Sequence, residues 1–189
     1  MKMKDLTLLL LVKGREKFSF RWLDYLSKNQ SECKIYVADG SEKKQTLEKY
    51  STILDYKYEY FGEDVSIELF LNKIIQSLKN VETEFVMLCS NDDFVILENI
   101  KILLKELKSN KESIGIKGRS VWINLEQNQQ INGMITNFKS FQTPDNLRFN
   151  NILDRIKNFL KNYNGHWHAI LKRKILLKIF IFLLEKKSI

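Results

Sequence analysis

Glu84-Phe85-Val86-Met87-Leu88-Cys89-Ser90-Asn91-Asp92-Asp93-Phe94 is the stretch on which the fold turns. The apolar run Phe85–Cys89 stops abruptly at the polar group Ser90–Asp93. A short, continuous apolar run is expected of a strand buried on both faces, as in a parallel sheet. Leu97–Lys108 follows with helical spacing, so Ser90–Asp93 falls on a strand-to-helix turn.

The same pattern recurs toward the N-terminus. Leu6–Val12 reads as a buried strand ending in Lys13-Gly14-Arg15, and Phe18–Lys28 as a helix with Phe18, Trp22, Leu23, Tyr25 and Leu26 on one side. Lys34–Ala38 is a second strand, closed by Asp39-Gly40-Ser41, with Ser41 expected to cap a helix through Tyr50. Ile53–Tyr60 alternates as a third strand. Gly62-Glu63-Asp64 then turns into an amphipathic helix carrying Ile67, Phe70, Leu71, Ile74, Ile75 and Leu78. Past the fourth strand, Ser113–Trp122 reads as a strand broken near Gly115 and Gly118, with Ile131–Thr136 pairing beside it.

This order is α/β: a Rossmann-like, mostly parallel sheet flanked by helices. Ligands of such sheets bind beyond the carboxyl ends of the strands. Lys13-Gly14-Arg15, Asp39-Gly40-Ser41 and Ser90–Asp93 are therefore expected on one edge.

At 189 residues, with 44% apolar and 29% charged side chains, the chain has the size and composition of one globular domain. Cys33 and Cys89 match no metal spacing and sit in apolar runs, so they read as buried free thiols in a reducing, cytoplasmic setting. The lysines before Leu6 imitate a signal peptide, but the apolar run is short and lacks a small-residue cleavage site. From Arg155 onward there are nine Lys/Arg against one acid, Glu185, which alone equals the chain's net charge of +8. The rest of the chain is neutral.

Paired carboxylates at a strand end suit a divalent cation that bridges phosphates, because Mg²⁺ and Mn²⁺ prefer oxygen ligands. Asp92 and Asp93 have those groups, and helix capping is their alternative role. Arg15, with Lys13 beside it, is placed to meet donor phosphates or to form a surface ion pair. Asp39 is placed to accept from a base or ribose or to act as a turn acid, while Gly40 leaves room for close approach. His166 and His168, at i and i+2, would share one face of a strand.

Four segments resemble family 2-like bacterial glycosyltransferases in order and spacing: Leu6–Arg15, Arg21-Trp22-Leu23-Asp24-Tyr25, Ile35–Ser41 and Glu84–Phe94. The resemblance covers roughly residues 5 to 120. It implies a GT-A fold, a UDP- or related nucleotide-sugar donor, Mg²⁺ or Mn²⁺, and an inverting transfer. It also implies a nucleobase contact for Asp39, with ribose and metal contacts for Asp92 and Asp93; Asn91 beside them is a donor-binding candidate. Where the family's acidic run begins with an acid, this chain has Ser90. A late histidine that completes the metal shell maps to His168, and Asp145 and Asp154 are the candidate general bases.

On this reading residues 1–171 form the GT-A domain and 172–189 a basic, apolar C-terminal helix. The apolar stretch of that helix is too short to span a bilayer. It is expected to dock on the sheet, with peripheral contact to the inner face of a membrane as the alternative. Its lysines are interleaved with Leu, Ile and Phe, unlike a nucleic-acid groove, so no nucleic acid is expected. The expected partners are a nucleotide sugar and a glycan or lipid-linked acceptor of surface polysaccharide or glycoprotein assembly. A shortened inactive remnant, a sugar-phosphate nucleotidyltransferase and a non-enzymatic binding module are the other readings.

Overall fold

The computed structural model describes residues 3–125, 135–141 and 167–187. Its main sheet has six strands in the order β3-β2-β1-β4-β8-β5. They are β1 (Leu6–Val12), β2 (Lys34–Asp39), β3 (Tyr56–Tyr60), β4 (Phe85–Ser90), β5 (Gly115–Lys117) and β8 (Ala169–Lys172). Strands β1 to β4 are mutually parallel, and β8 runs antiparallel to both β4 and β5. The α/β, mostly parallel architecture is thus the one the alternation predicts.

The continuous apolar run of β1 is explained by burial on both faces. Leu6, Leu8, Leu10 and Val12 face one core, with Trp22, Leu23 and Leu26 of α1 (Glu16–Lys28) and Leu97, Ile100, Leu104 and Leu107 of α3 (Leu97–Ser109). Leu9 and Leu11 face the other, with Leu71, Ile74, Ile75 and Leu78 of α2 (Ile67–Asn80) and Leu176 and Phe180 of α4 (Arg173–Lys187). In α1, α2 and α3 the buried apolar residues recur at helical spacing, so the period of the sequence sets which side is buried. Ser66 caps α2, its hydroxyl accepting the Leu69 N–H at 3.2 Å.

Two local expectations are corrected, at Ser41 and at His168, while the break expected near Gly118 is found. No α-helix starts at Ser41; the segment is a loop ending in a short 3-10 turn, Glu48–Thr52. The reason is that Asp39 captures the Ser41 and Gln45 N–H groups, holding the chain in a loop. The strand expected over Ser113–Trp122 divides at Gly118-Arg119 into β5 and β6 (Ser120–Leu125). Strand β6 pairs with β7 (Ile135–Phe141) in a separate two-stranded sheet, where Ile135 lies opposite Leu125 and Thr136 falls at a register shift. Of that expected partner strand, residues 131–134 lie outside the described residues. His168 precedes β8 in a turn with φ 62°, rather than lying within a strand.

The C-terminal helix docks. Burial of Leu176 and Phe180 contributes about 1.5–3 kcal/mol each. Among the described residues no helix is long and apolar enough to cross a membrane. Cys33 and Cys89 are free and buried, and burial pushes both thiols up, that of Cys33 to about 11.

Candidate functional site

The chain winds from β1 through β2 to β3 on one side, then crosses to β4 on the other side of β1. The loops after β1 and β4 therefore flank a crevice at a topological switch point. Register brings Leu11 opposite Ser90, so both loops leave the sheet at the same level.

Gly14 and Arg15 turn the first loop through left-handed backbone, at φ 64° and 54°. The turn starts α1 directly, since the Arg15 carbonyl accepts the Phe18 N–H at 2.8 Å. It also sends the Arg15 guanidinium across the crevice, where Nη1 meets Asp92 Oδ2 at 2.6 Å. Both side chains are substantially exposed. Arg21 stacks between the rings of Phe18 and Phe94, 4.7 and 4.6 Å from their centroids, and donates to the Asp92 carbonyl at 3.3 Å.

Asn91 points inward. Its Nδ2 donates to Ser19 Oγ at 3.0 Å and reaches the carbonyls of Gly14 and Arg15 at 3.4 Å. It rivets the two loops together and is itself buried.

Asp93 Oδ2 accepts from Ser90 Oγ at 2.8 Å and meets His168 Nε2 at 2.9 Å. His168 and Ser90 hold the Asp93 carboxyl below the usual carboxylate range against the opposing effect of burial. The main-chain N–H of His168 donates to the Leu88 carbonyl at 3.1 Å, so β4 itself positions the imidazole. Ser90, standing where an acid was expected, orients Asp93.

Lys13, Asp39 and Gly40 form a neighbouring cluster. Asp39 is fully buried, and its carboxylate accepts four hydrogen bonds: Ser41 N–H and Oγ–H on Oδ1, Gln45 N–H and Tyr58 O–H on Oδ2. A carboxylate has about four acceptor sites. In this conformation Asp39 organises the β2 loop, and a nucleobase contact would require one of these bonds to open. Gly40 leaves room not for a ligand but for a buried ion pair. A Cβ there would come within 2.3 Å of Asp64 Oδ2 and 2.6 Å of Lys73 Nζ. Those two groups meet at 2.5 Å with almost no exposure, and Lys13 joins them 3.3 Å from Asp64 Oδ1. Burial pushes the Lys73 ammonium down, against the pull of Asp64.

Arg15, Asp92, Asp93 and His168 thus share one crevice. Among the described residues no three of His, Cys, Asp and Glu converge as a ready-made metal cage. Asp145, Asp154 and His166 lie outside the described residues.

The architecture also occurs in solved structures. CMP:2-keto-3-deoxy-manno-octonic acid synthetase complexed with CTP aligns over 94% of this chain and 78% of its own, with 11% identity and TM-score 0.50. That enzyme and this chain share a fold. S. aureus TarS aligns at 24% identity over 57% of this chain, with TM-score 0.45. The match spans only 20% of that TarS chain, and 33% of TarS 1–349 in complex with UDP. No family model and no curated protein matches the sequence.

Several members of the site carry weak sequence signals. Lys73 lies among Leu71, Ile74, Ile75 and Leu78, and a lysine within an apolar helix face points to a buried partner. Phe18 and Arg21 are at i, i+3 and so neighbours on α1. Asp64 and Tyr58 had no local signal, because their partners lie on other elements.

Proposed function

We propose that the chain transfers a sugar from a nucleotide-sugar donor to a glycan or lipid-linked acceptor, with the donor diphosphate in the crevice between the β1 and β4 loops. The supporting observation is the exposed Arg15–Asp92 pair beside Asp93, at the mouth of α1. A diphosphate there meets the Arg15 guanidinium and the N-terminal end of α1, whose dipole favours anions.

Opening the pair lets Arg15 exchange a carboxylate for a phosphate and frees Asp92. Asp92 and Asp93 would then hold Mg²⁺ or Mn²⁺, with His168 beside Asp93. Such ions commonly use one or two carboxylates together with substrate phosphates, which suits a site lacking a three-residue cage. When bound, the cation supplies charge neutralisation to the leaving diphosphate.

In the transfer, the bond from the anomeric carbon to the diphosphate oxygen breaks and the acceptor oxygen bonds that carbon. The acceptor proton passes to a base, for which Asp145 and Asp154 remain the candidates. The Asp39 cluster serves by keeping the β2 loop in shape. The reaction is read as inverting, on the cytoplasmic side, in surface polysaccharide or glycoprotein assembly.

The test is calorimetry with UDP-, GDP- and CDP-sugars in the presence of Mn²⁺, followed by donor hydrolysis. Binding of one donor class and release of its nucleoside diphosphate are expected. Failure to bind any of them refutes the reading. Pyrophosphate release from CTP and a sugar acid would assign nucleotidyl transfer instead.

A further inference from the structure

Val65, Ile67 and Leu69 at the start of α2, and Ile179, Phe182 and Leu183 on α4, are between 40% and 68% exposed. Chain geometry brings these two groups to the same level. Strand β8 runs antiparallel to β4, from the crevice edge at Ala169 to the opposite edge at Lys172. There α4 is pinned by Arg173, whose N–H donates to the Glu84 carbonyl, Nε to Thr83 and Nη1 to Leu78 in the last turn of α2. From this pin α4 returns along α2, Leu176 and Phe180 packing in the cluster that holds Leu71, Ile74 and Ile75. At about 1.5 Å per residue on both helices, the last two turns of α4 reach the first two turns of α2. That end lies toward the crevice edge of the sheet.

Outward, α4 presents Lys178, Phe182 and Lys186 at i, i+4, i+8, with Ile179 and Leu183 beside them and Lys174 one turn before. Lys186 Nζ sits 5.7 Å over the Phe182 ring. Glu185 and Glu68 are the nearby exposed acids on the two helices. Bulky apolar side chains rimmed by lysines on a helix lying along the surface match the demands of a charged interface: an apolar layer below, anionic headgroups above.

We propose that this surface docks on an anionic lipid bilayer, α4 lying in the headgroup plane with Ile179, Phe182 and Leu183 entering the acyl boundary. It rests on the outer faces of α4 and α2 and is independent of the proposed transfer.

The experiment is flotation of the full chain with phosphatidylcholine vesicles, alone and mixed with phosphatidylglycerol. Binding to the mixed vesicles and its loss in high salt are expected. Lys178→Gln with Lys186→Gln should weaken binding about 25-fold, at roughly fivefold per lysine. Phe182→Ser with Leu183→Ser should abolish it while leaving circular dichroism and Tm unchanged. No binding to mixed vesicles, or full binding by both double variants, overturns the proposal. So does sedimentation showing a dimer that the Phe182→Ser, Leu183→Ser variant converts to a monomer, since the surface is then a subunit interface.

Discussion

Replacing Lys73 by Met separates the buried ion pair from ordinary packing. The methionine keeps the apolar stem and removes the ammonium, which pairs with Asp64 Oδ2 at 2.5 Å and donates to the Val12 carbonyl at 3.1 Å. Breaking a buried pair by removing one partner costs about 3–5 kcal/mol, mostly because the other charge is left desolvated. Asp64 keeps Lys13 at 3.3 Å, half exposed, so the lower end of that range applies. A loss of about 3 kcal/mol is a large share of the roughly 5–15 kcal/mol that stabilises a domain. At about 2–4 °C per kcal/mol for a chain of this size, Tm falls by about 6–12 °C. Urea unfolding and calorimetry measure it. Adding Asp64→Asn to Lys73→Met removes the stranded charge and should restore more than half of the loss. A single variant within about 1 kcal/mol of the parent, or a double variant no better than the single, refutes the account.

Gly40→Ala should destabilise through the same pair, because the new methyl must push Asp64 and Lys73 apart; a variant of parental Tm contradicts the packing. Arg15→Ala should change stability by less than about 1 kcal/mol, its partner being exposed, yet weaken donor binding by about 1.5–3 kcal/mol in calorimetry. In His168→Gln the Asp93 carboxyl should titrate nearer its ordinary value, read by carboxyl NMR; an unmoved titration excludes the contact. In the folded protein Asp93 stays ionised to lower pH than in the unfolded chain. Its contribution to stability is present above the unfolded value of 3.8 and fades as pH falls through the lower folded value, so His168→Gln should flatten the acid limb of the stability profile.

Much of the fold was legible because β1 and β4 are buried on both faces, which writes them into the sequence as unbroken apolar runs. Their ends were legible for the same reason, and Arg15, Asp92 and Asp93 came with them. What escaped depends on partners distant in the chain. Ser41 has the chemistry of a helix cap, but Asp39, held by Tyr58 from β3, takes its N–H and hydroxyl first. Gly40 reads as space for a ligand until Asp64 and Lys73, on other elements, are seen to fill it. Strand β8 has only four residues, Ala169–Lys172, too few to carry a period, so the sequence does not show where it starts, and His168 lies just before it.

That short strand has a consequence for how the molecule is made. Emerging from the ribosome, the chain can assemble β1 to β4 early, because β2, β3 and β4 each lie beside a strand already synthesised. The outer edge of β4 then stays open until residues 169–172 appear, because β8 is its neighbour there, and β5 must wait for the same four residues. His168 arrives at the same moment, set against Asp93 by the closing of that seam. A nascent chain halted before this point would carry a bare, twisted ribbon edge beside a half-built crevice, the kind of surface chaperones retain.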